Sequence, residues 1–275
     1  MSNISNLFKM GGEVNFGKTK TTVISVIGLL MIFALWYLIS KFEIITTNIL
    51  PDPISVICSY GSLFENNHLL ANAWFSIRLN WMSYFWAILI ALPVGFIIGL
   101  FPINNIIIGR YIDSVRYLPI PALSGIFFAV FGLTFEMKQA FLAFAIIIYI
   151  VPTVVTKINR IQSPSNDSEF VYLQSIKTLG ASSWQKFKEV YLPYVCGSIS
   201  TDIINLTGIT WSYLVICELF YKDSTISGLG SLISTMSRQS HMAEVYALLF
   251  LIVVIGILQD VILKFIDKKL FPWKY

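Results

Sequence analysis

Charge is what this chain has least of. Asp, Glu, Lys and Arg make up 12% of its 275 residues, about half the share of an ordinary soluble domain. That excludes a water-facing globule and points to a polytopic membrane protein. Histidine occurs at His68 and His241 alone, and no H-E-x-x-H helix or G-x-S-x-G elbow is present, which argues against an intramembrane enzyme. A Ser231–His241 dyad would have neither a supporting acid nor an oxyanion signature. Cys58, Cys196 and Cys217 have no metal-ligand spacing, and the last two sit in apolar context as small buried hydrophobes. No G-x-x-x-x-G-K-[ST] loop occurs, so the chain is not expected to hydrolyse ATP itself. No catalytic residue, metal or resident cofactor is expected. The net charge of +4 is no nucleic-acid signal.

What is present is a series of apolar runs. Thr21–Ser40 lies between Lys20 and Lys41; at about 1.5 Å per residue it covers ~30 Å, the hydrocarbon thickness of a bilayer. It is too long for the apolar region of a signal peptide and lacks a small-residue cleavage site. Leu50-Pro51-Asp52-Pro53 breaks helix, and Ile54–Phe64 reads as a short amphipathic surface helix. Further spans are expected at Ala71–Phe101, Ser114–Phe131, Ala140–Val155, Ser198–Phe220 and Ala243–Phe265, with Glu136 and Lys138 in a short loop. The expected fold is all-α: about six transmembrane helices in a single domain, residues 21–270, with tails at 1–20 and 271–275. With both termini in the cytoplasm, all but five of the 19 basic residues fall inside; the exceptions are Lys41, Arg78, Lys138, Lys222 and Arg238. The positive-inside tendency supports that orientation.

Between the fourth and fifth spans the apolar pattern stops. Residues 157–193 form a polar island, placed in the cytoplasm by this topology. Ser165, Asn166 and Asp167 are capping candidates for a helix carrying Phe170, Leu173, Ile176 and Lys177, and Gly180 sits where a left-handed helix end is wanted. Ser182 and Gln185 form an S-x-x-Q capping box that opens a second helix. Trp184, Phe187, Val190 and Tyr191 supply its apolar side, and Pro193 ends it. A capped, amphipathic segment of this length is expected to dock something.

Leu173-Gln174-Ser175-Ile176-Lys177-Thr178-Leu179-Gly180-Ala181-Ser182, followed by Tyr191-Leu192-Pro193, resembles the EAA loop of ABC-importer permease subunits. Leu50-Pro51-Asp52-Pro53 is similar to the LPSP stretch of the nitrate/sulfonate/taurine-type branch. Arg116 to Leu123 resembles its RPIPPLA stretch, and Glu218-Leu219-Phe220 with Ser227-Gly228-Leu229-Gly230 resembles its AEML…SGLG loop. Order and spacing match over about residues 50–270. The resemblance implies a type I importer permease in the bacterial cytoplasmic membrane. ATP would be bound on a separate cytoplasmic ATPase, a solute-binding protein would dock outside, and a second permease copy would complete a homodimer in the lipid bilayer. It also implies that Gln174, Ser175, Lys177, Gly180, Ala181 and Ser182 form the ATPase-coupling positions. The family's Glu is Gln174 here, which can hydrogen-bond but cannot form a charge-assisted pair. Lys177, Lys186 and Lys188 either compensate or form a solvated face.

Ionisable and helix-breaking residues inside spans are functional candidates. Arg78, Asn80, Pro119, Pro121 and Glu218 are therefore assigned to the translocation path of a small solute. Arg78 and Glu218 could alternatively form a structural ion pair or snorkel to the interface, and Asn80 could bond helix to helix. Gly228 and Gly230 suit a tight turn or re-entrant segment on the outer side. An ATP-independent secondary transporter or channel is the main rival, but it would predict repeated halves and buried carboxylates, and no half-to-half similarity is seen.

Overall fold

In a computed structural model, which describes residues 18–164, 167–219 and 226–275, every element among the described residues is helical. In chain order the α-helices are α1 (Lys18–Lys41), α2 (Pro53–Asn66), α3 (Leu69–Leu100), α4 (Ser124–Phe131), α5 (Phe135–Gln162), α6 (Asp167–Thr178), α7 (Ser183–Lys186), α8 (Leu192–Asn205), α9 (Thr207–Leu219), α10 (Leu229–Arg238) and α11 (Met242–Leu270). A three-residue helical turn, Pro102–Asn104, follows α3. By length and composition α1, α3, α5 and α11 can each cross a membrane. The expected span at Ser114–Phe131 is not a straight helix. It is the end of a broken element whose halves, Pro102–Tyr117 and Ile120–Phe131, meet at 95°. Pro119 and Pro121 flank the break: neither has an N–H to donate, and the residue before a proline is pushed out of helical backbone. The span expected at Ser198–Phe220 is likewise two helices, α8 and α9, joined at Leu206.

The α3–α5 pair is the spine of the fold. Gly95 and Gly99 form a G-x-x-x-G stripe on α3, and a Cβ built on them would lie 2.6 Å from Val154 and 2.7 Å from Ile158. Only glycine permits that approach, the usual device of helix packing in membranes. Gly95→Leu is expected to lower the melting temperature of the purified chain well below wild type through overpacking, about 1–3 kcal/mol or more. Val154→Ala in the same chain should recover part of that loss; no recovery would place the strain elsewhere. Around the spine, one apolar cluster joins α3, α5, α6 and α8 through Phe96, Val154, Leu173 and Val195. A second joins Leu79, Phe141, Trp211 and Leu214, and a third packs Val56 and Leu63 of α2 against Leu229 and Leu248.

Two boundaries differ from expectation for local reasons. Helix α5 starts at Phe135 because Thr134 caps it, its hydroxyl accepting from Met137 N at 3.2 Å. Glu136 and Lys138 are therefore in its first turns, not in a loop. The expected break before the fifth span does not occur at Pro193 either. Pro193 cannot donate to the Glu189 carbonyl, and the chain widens into a π-helical turn over Phe187–Tyr191 and continues as α8. The Leu50–Pro53 stretch behaves as a helix start. Asp52 caps α2 by accepting from Ser55 N at 3.0 Å, with Pro53 in the first turn. The Ser55 hydroxyl and amide hold the Asp52 carboxyl below its usual pKa. Trp36 of α1 donates to the Pro51 carbonyl at 3.0 Å.

Candidate functional site

Three sets of residues carry the chemistry. Two of them lie at opposite ends of α3: Asn72 contacts the Ser227–Gly230 loop, and the Phe96 ring packs against Phe187 at 5.2 Å. Those 24 residues of helix span about 36 Å.

At the Gly180 end, helix α6 closes with two backbone bonds, Gly180 N to Lys177 O at 3.0 Å and Ala181 N to Ile176 O at 3.2 Å. With Gly180 at φ +73°, this is the paired-bond helix ending for which glycine is chosen. The capping box follows at once: Ser182 N donates to Gln185 Oε1 at 2.7 Å and Gln185 N to Ser182 Oγ at 3.3 Å. Leu173 is buried against the spine, while Ser175 and Lys177 are exposed and Gln174 is half-buried. Among the described residues, nothing beyond its chain neighbours and own helix backbone lies within 4 Å of where a Gly180 Cβ would be. On either side of Gly180 in sequence, Leu179 is 84% exposed and Trp184 68% exposed. Trp184 nevertheless stays on the apolar side of its helix: its ring packs on Phe187 at 5.3 Å, and Phe187 and Val190 pack against the spine. Ser165 and Asn166, and the side chain of Asp167, lie outside the described residues.

At the other end, Glu218 is fully buried and holds the loop that begins α10. Its Oε1 accepts from Ser76 Oγ at 2.7 Å and its Oε2 from Gly230 N at 2.7 Å. Ser76 Oγ accepts in turn from Leu229 N at 2.9 Å. Asn72 Oδ1 accepts from Ser227 N and Gly228 N at 2.9 and 3.0 Å. Lys138, 1% exposed, donates to the Ser227 carbonyl at 3.2 Å and interacts electrostatically with Glu218. Gly228 is at φ +103°, and a Cβ there would overlap the Glu218 carboxylate. Arg78 is not the partner of Glu218. It is exposed, with its guanidinium over the Phe135 ring at 5.8 Å. The lysine expected in a loop is the buried cation instead. An isolated Lys in an apolar helix, four residues after a Thr cap, was the available signal.

Between the ends, polar groups bridge helices. Trp211 Nε1 donates to Gln259 Oε1 at 2.8 Å, and Gln259 Nε2 to Asn80 Oδ1 at 3.0 Å. Asn80 is thus buried in helix-to-helix bonding within one chain. Pro119 and Pro121 are exposed at the 95° break. Just before that break, Arg116 donates to Thr153 Oγ1 at 3.1 Å.

Residues 87–272 match the binding-protein-dependent transport system inner membrane component family. The chain belongs to that family. It is 22% identical over 99% of its length to a putative aliphatic sulfonates transport permease of Bacillus subtilis, covering 94% of that protein. It is 24% identical to the taurine transport system permease of Escherichia coli, over 93% of this chain and 91% of that one. A putative ABC transporter permease of Methanocaldococcus jannaschii is 28% identical, over 82% and 79% of the two chains. The crystal structure of an amino acid ABC transporter with histidines shares the fold at a TM-score of 0.56 and 14% identity, over 80% of this chain and 97% of that one. This ABC permease is a multi-pass membrane subunit and not an enzyme; in its family the ATPase is a separate subunit. The importer architecture replaces both rivals, secondary transporter and intramembrane enzyme. His241, half of the imagined dyad, faces Glu244 at 3.8 Å.

Proposed function

We propose that this permease imports a small sulfonate-class or related anionic solute, handed over by an extracytoplasmic binding protein at the Gly228 end. Two copies enclose the path, the Gly180 end is cytoplasmic, and ATP is hydrolysed on subunits docked there. The observation that carries this reading is the Gly180 bend: a rigidly capped turn with open space beside it, and with exposed Leu179 and Trp184 close by in sequence. Exposed large apolar side chains around a capped polar turn suit burial in a partner's cleft. Gln174, Ser175, Lys177, Ala181 and Ser182 would frame that contact. Half-buried Gln174 would contribute hydrogen bonds, without the ion pair a carboxylate offers. The sulfonate and taurine relatives support the substrate class. Both termini would lie in the cytoplasm, as the basic residues indicate.

Deleting Leu173–Ser182 should leave the permease inserted but abolish ATP-driven uptake in proteoliposomes and release the co-purifying ATPase. An ATPase retained unchanged by the deletion would sink the coupling assignment. Uptake without ATP by the purified chain would sink the importer mechanism.

A further inference from the structure

At the Gly180 end of the fold, an apolar groove of about 780 Å³ runs between α3 and the segment that follows the coupling bend. One wall is a single face of α3: Pro93, Phe96, Ile97, Leu100 and Phe101 recur at the spacing of one helix stripe. The opposite wall is aromatic, with the Trp184 and Phe187 rings 5.3 Å apart. From Leu92 to Phe101 the α3 wall is about 14 Å long. That is close to half of the ~30 Å hydrocarbon thickness, the depth of one leaflet. Three polar residues complete the lining, Gln162 at the end of α5 and Ser183 and Lys186 on α7. Lys186 is half-buried there. A second cavity of about 420 Å³ adjoins the groove, sharing Leu100 and Gln162 with it, and is lined by Arg110 and Asn159. No Asp or Glu lines either cavity. Neither Lys186 nor Arg110 has an ion pair among the described residues.

We propose that this groove holds an acyl chain of an anionic phospholipid of the cytoplasmic leaflet. Its phosphate lies on Lys186 and the Ser183 hydroxyl, with the rest of the headgroup towards Arg110. The chemistry selects this occupant. An acyl chain matches apolar walls one leaflet deep, which a soluble anion would leave uncovered. A zwitterionic lipid would bring its ammonium to a lining that has two cations and no acid. Basic pockets between helices on the cytoplasmic side are where anionic headgroups are held. The functional consequence rests on the coupling reading above. A lipid packed between α3 and the residues after Gly180 fixes the coupling segment against the spine. Leu179 lies outside the groove and stays available to the ATPase.

The test is tryptophan quenching of the full-length permease in phosphatidylcholine vesicles. These carry acyl-brominated phosphatidylglycerol or, at the same mole fraction, acyl-brominated phosphatidylcholine. Subtracting the Trp184→Phe signal isolates Trp184 from the other tryptophans. Brominated phosphatidylglycerol should associate with Trp184 about fivefold more strongly than brominated phosphatidylcholine, as for one basic residue beside an anionic headgroup. Lys186→Gln should bring that ratio close to one, and Lys186→Arg should keep it. Lys188→Gln, outside the groove, should leave it unchanged, which separates a built site from general surface attraction. Equal quenching by the two lipids, with Lys186→Gln silent, overturns the anionic headgroup assignment. Trp184 left unquenched by both overturns the groove as a lipid site; quenching gained only on dilution to monomer would make a second copy the occupant instead. Uptake by the assembled transporter is a separate readout. Uptake that rises with phosphatidylglycerol in the wild type, and not in Lys186→Gln, supports the link to coupling. Lipid binding to which uptake is indifferent overturns that link and leaves the site standing. Failure of the coupling reading itself would show in the Leu173–Ser182 deletion and not in the quenching.

Discussion

Gly180→Val should abolish most ATP-driven uptake while leaving the amount of inserted permease at the wild-type level. Gly180 holds φ +73°, a region where a β-branched L-residue is strained by about 1–2 kcal/mol. That strain acts on a junction held by two backbone bonds and followed directly by the Ser182–Gln185 capping box. Valine would therefore open the turn, at a factor of roughly 5–30 in its population. Since nothing in the described chain beyond its own neighbours and helix backbone lies within 4 Å of the added Cβ, global folding should be untouched. Gly180→Asn separates the two demands on this position. Asparagine tolerates left-handed backbone but fills the open space beside residue 180. If uptake survives Asn and fails with Val, backbone shape is the requirement. If both fail with the ATPase released, the empty space is itself the docking surface. Full uptake and ATPase retention in the Val variant would remove Gly180 from the coupling machinery.

The helix ending at Gly180 and the capping box were legible because both are local: a few residues of fixed type determine each geometry. The same holds for Asp52-Pro53, whose cap and first-turn proline are neighbours in sequence. Long spans were legible from length and apolarity, and α1, α3 and α11 fall within a few residues of expectation. What failed was whatever depended on partners distant in sequence. Prolines 119 and 121 were visible, yet a 95° bend is decided by what the two halves pack against. Trp184 has the expected spacing and packs on Phe187 at 5.3 Å, yet it stays 68% exposed because no described element of the chain covers its outer side. Lys138 was counted as a loop charge because nothing nearby in sequence shows that Ser227 takes its proton donor 89 residues later. The G-x-x-x-G stripe at Gly95 and Gly99, which the span pattern alone does not single out, is the sequence signal for the α3–α5 contact.

The larger structural effect belongs to Gly228. Gly228→Ala is expected to eliminate most correctly folded permease, measured as the monodisperse fraction after solubilisation and its melting temperature. At φ +103° and ψ +169° the backbone is in a region essentially reserved for glycine, with a penalty of about 1–3 kcal/mol for other residues. The new methyl would also displace the Glu218 carboxylate, breaking its bonds to Ser76 and Gly230. Each buried group left unsatisfied adds about 1–3 kcal/mol. The sum is a large part of the roughly 5–15 kcal/mol that stabilises a typical fold. Because the two causes are separable, a double-mutant cycle resolves them. Glu218→Ala alone should be damaging, since it orphans Gly230 N and the Ser76 hydroxyl and removes the anion that offsets buried Lys138. The Gly228→Ala/Glu218→Ala pair should nevertheless lose less than the two single losses added together, because the overlap is gone in both. Strict additivity would show that Glu218 does not clamp the loop. A double variant no worse than Glu218→Ala would show that backbone conformation at Gly228 contributes little, leaving the carboxylate as the element that shapes this end of the permease.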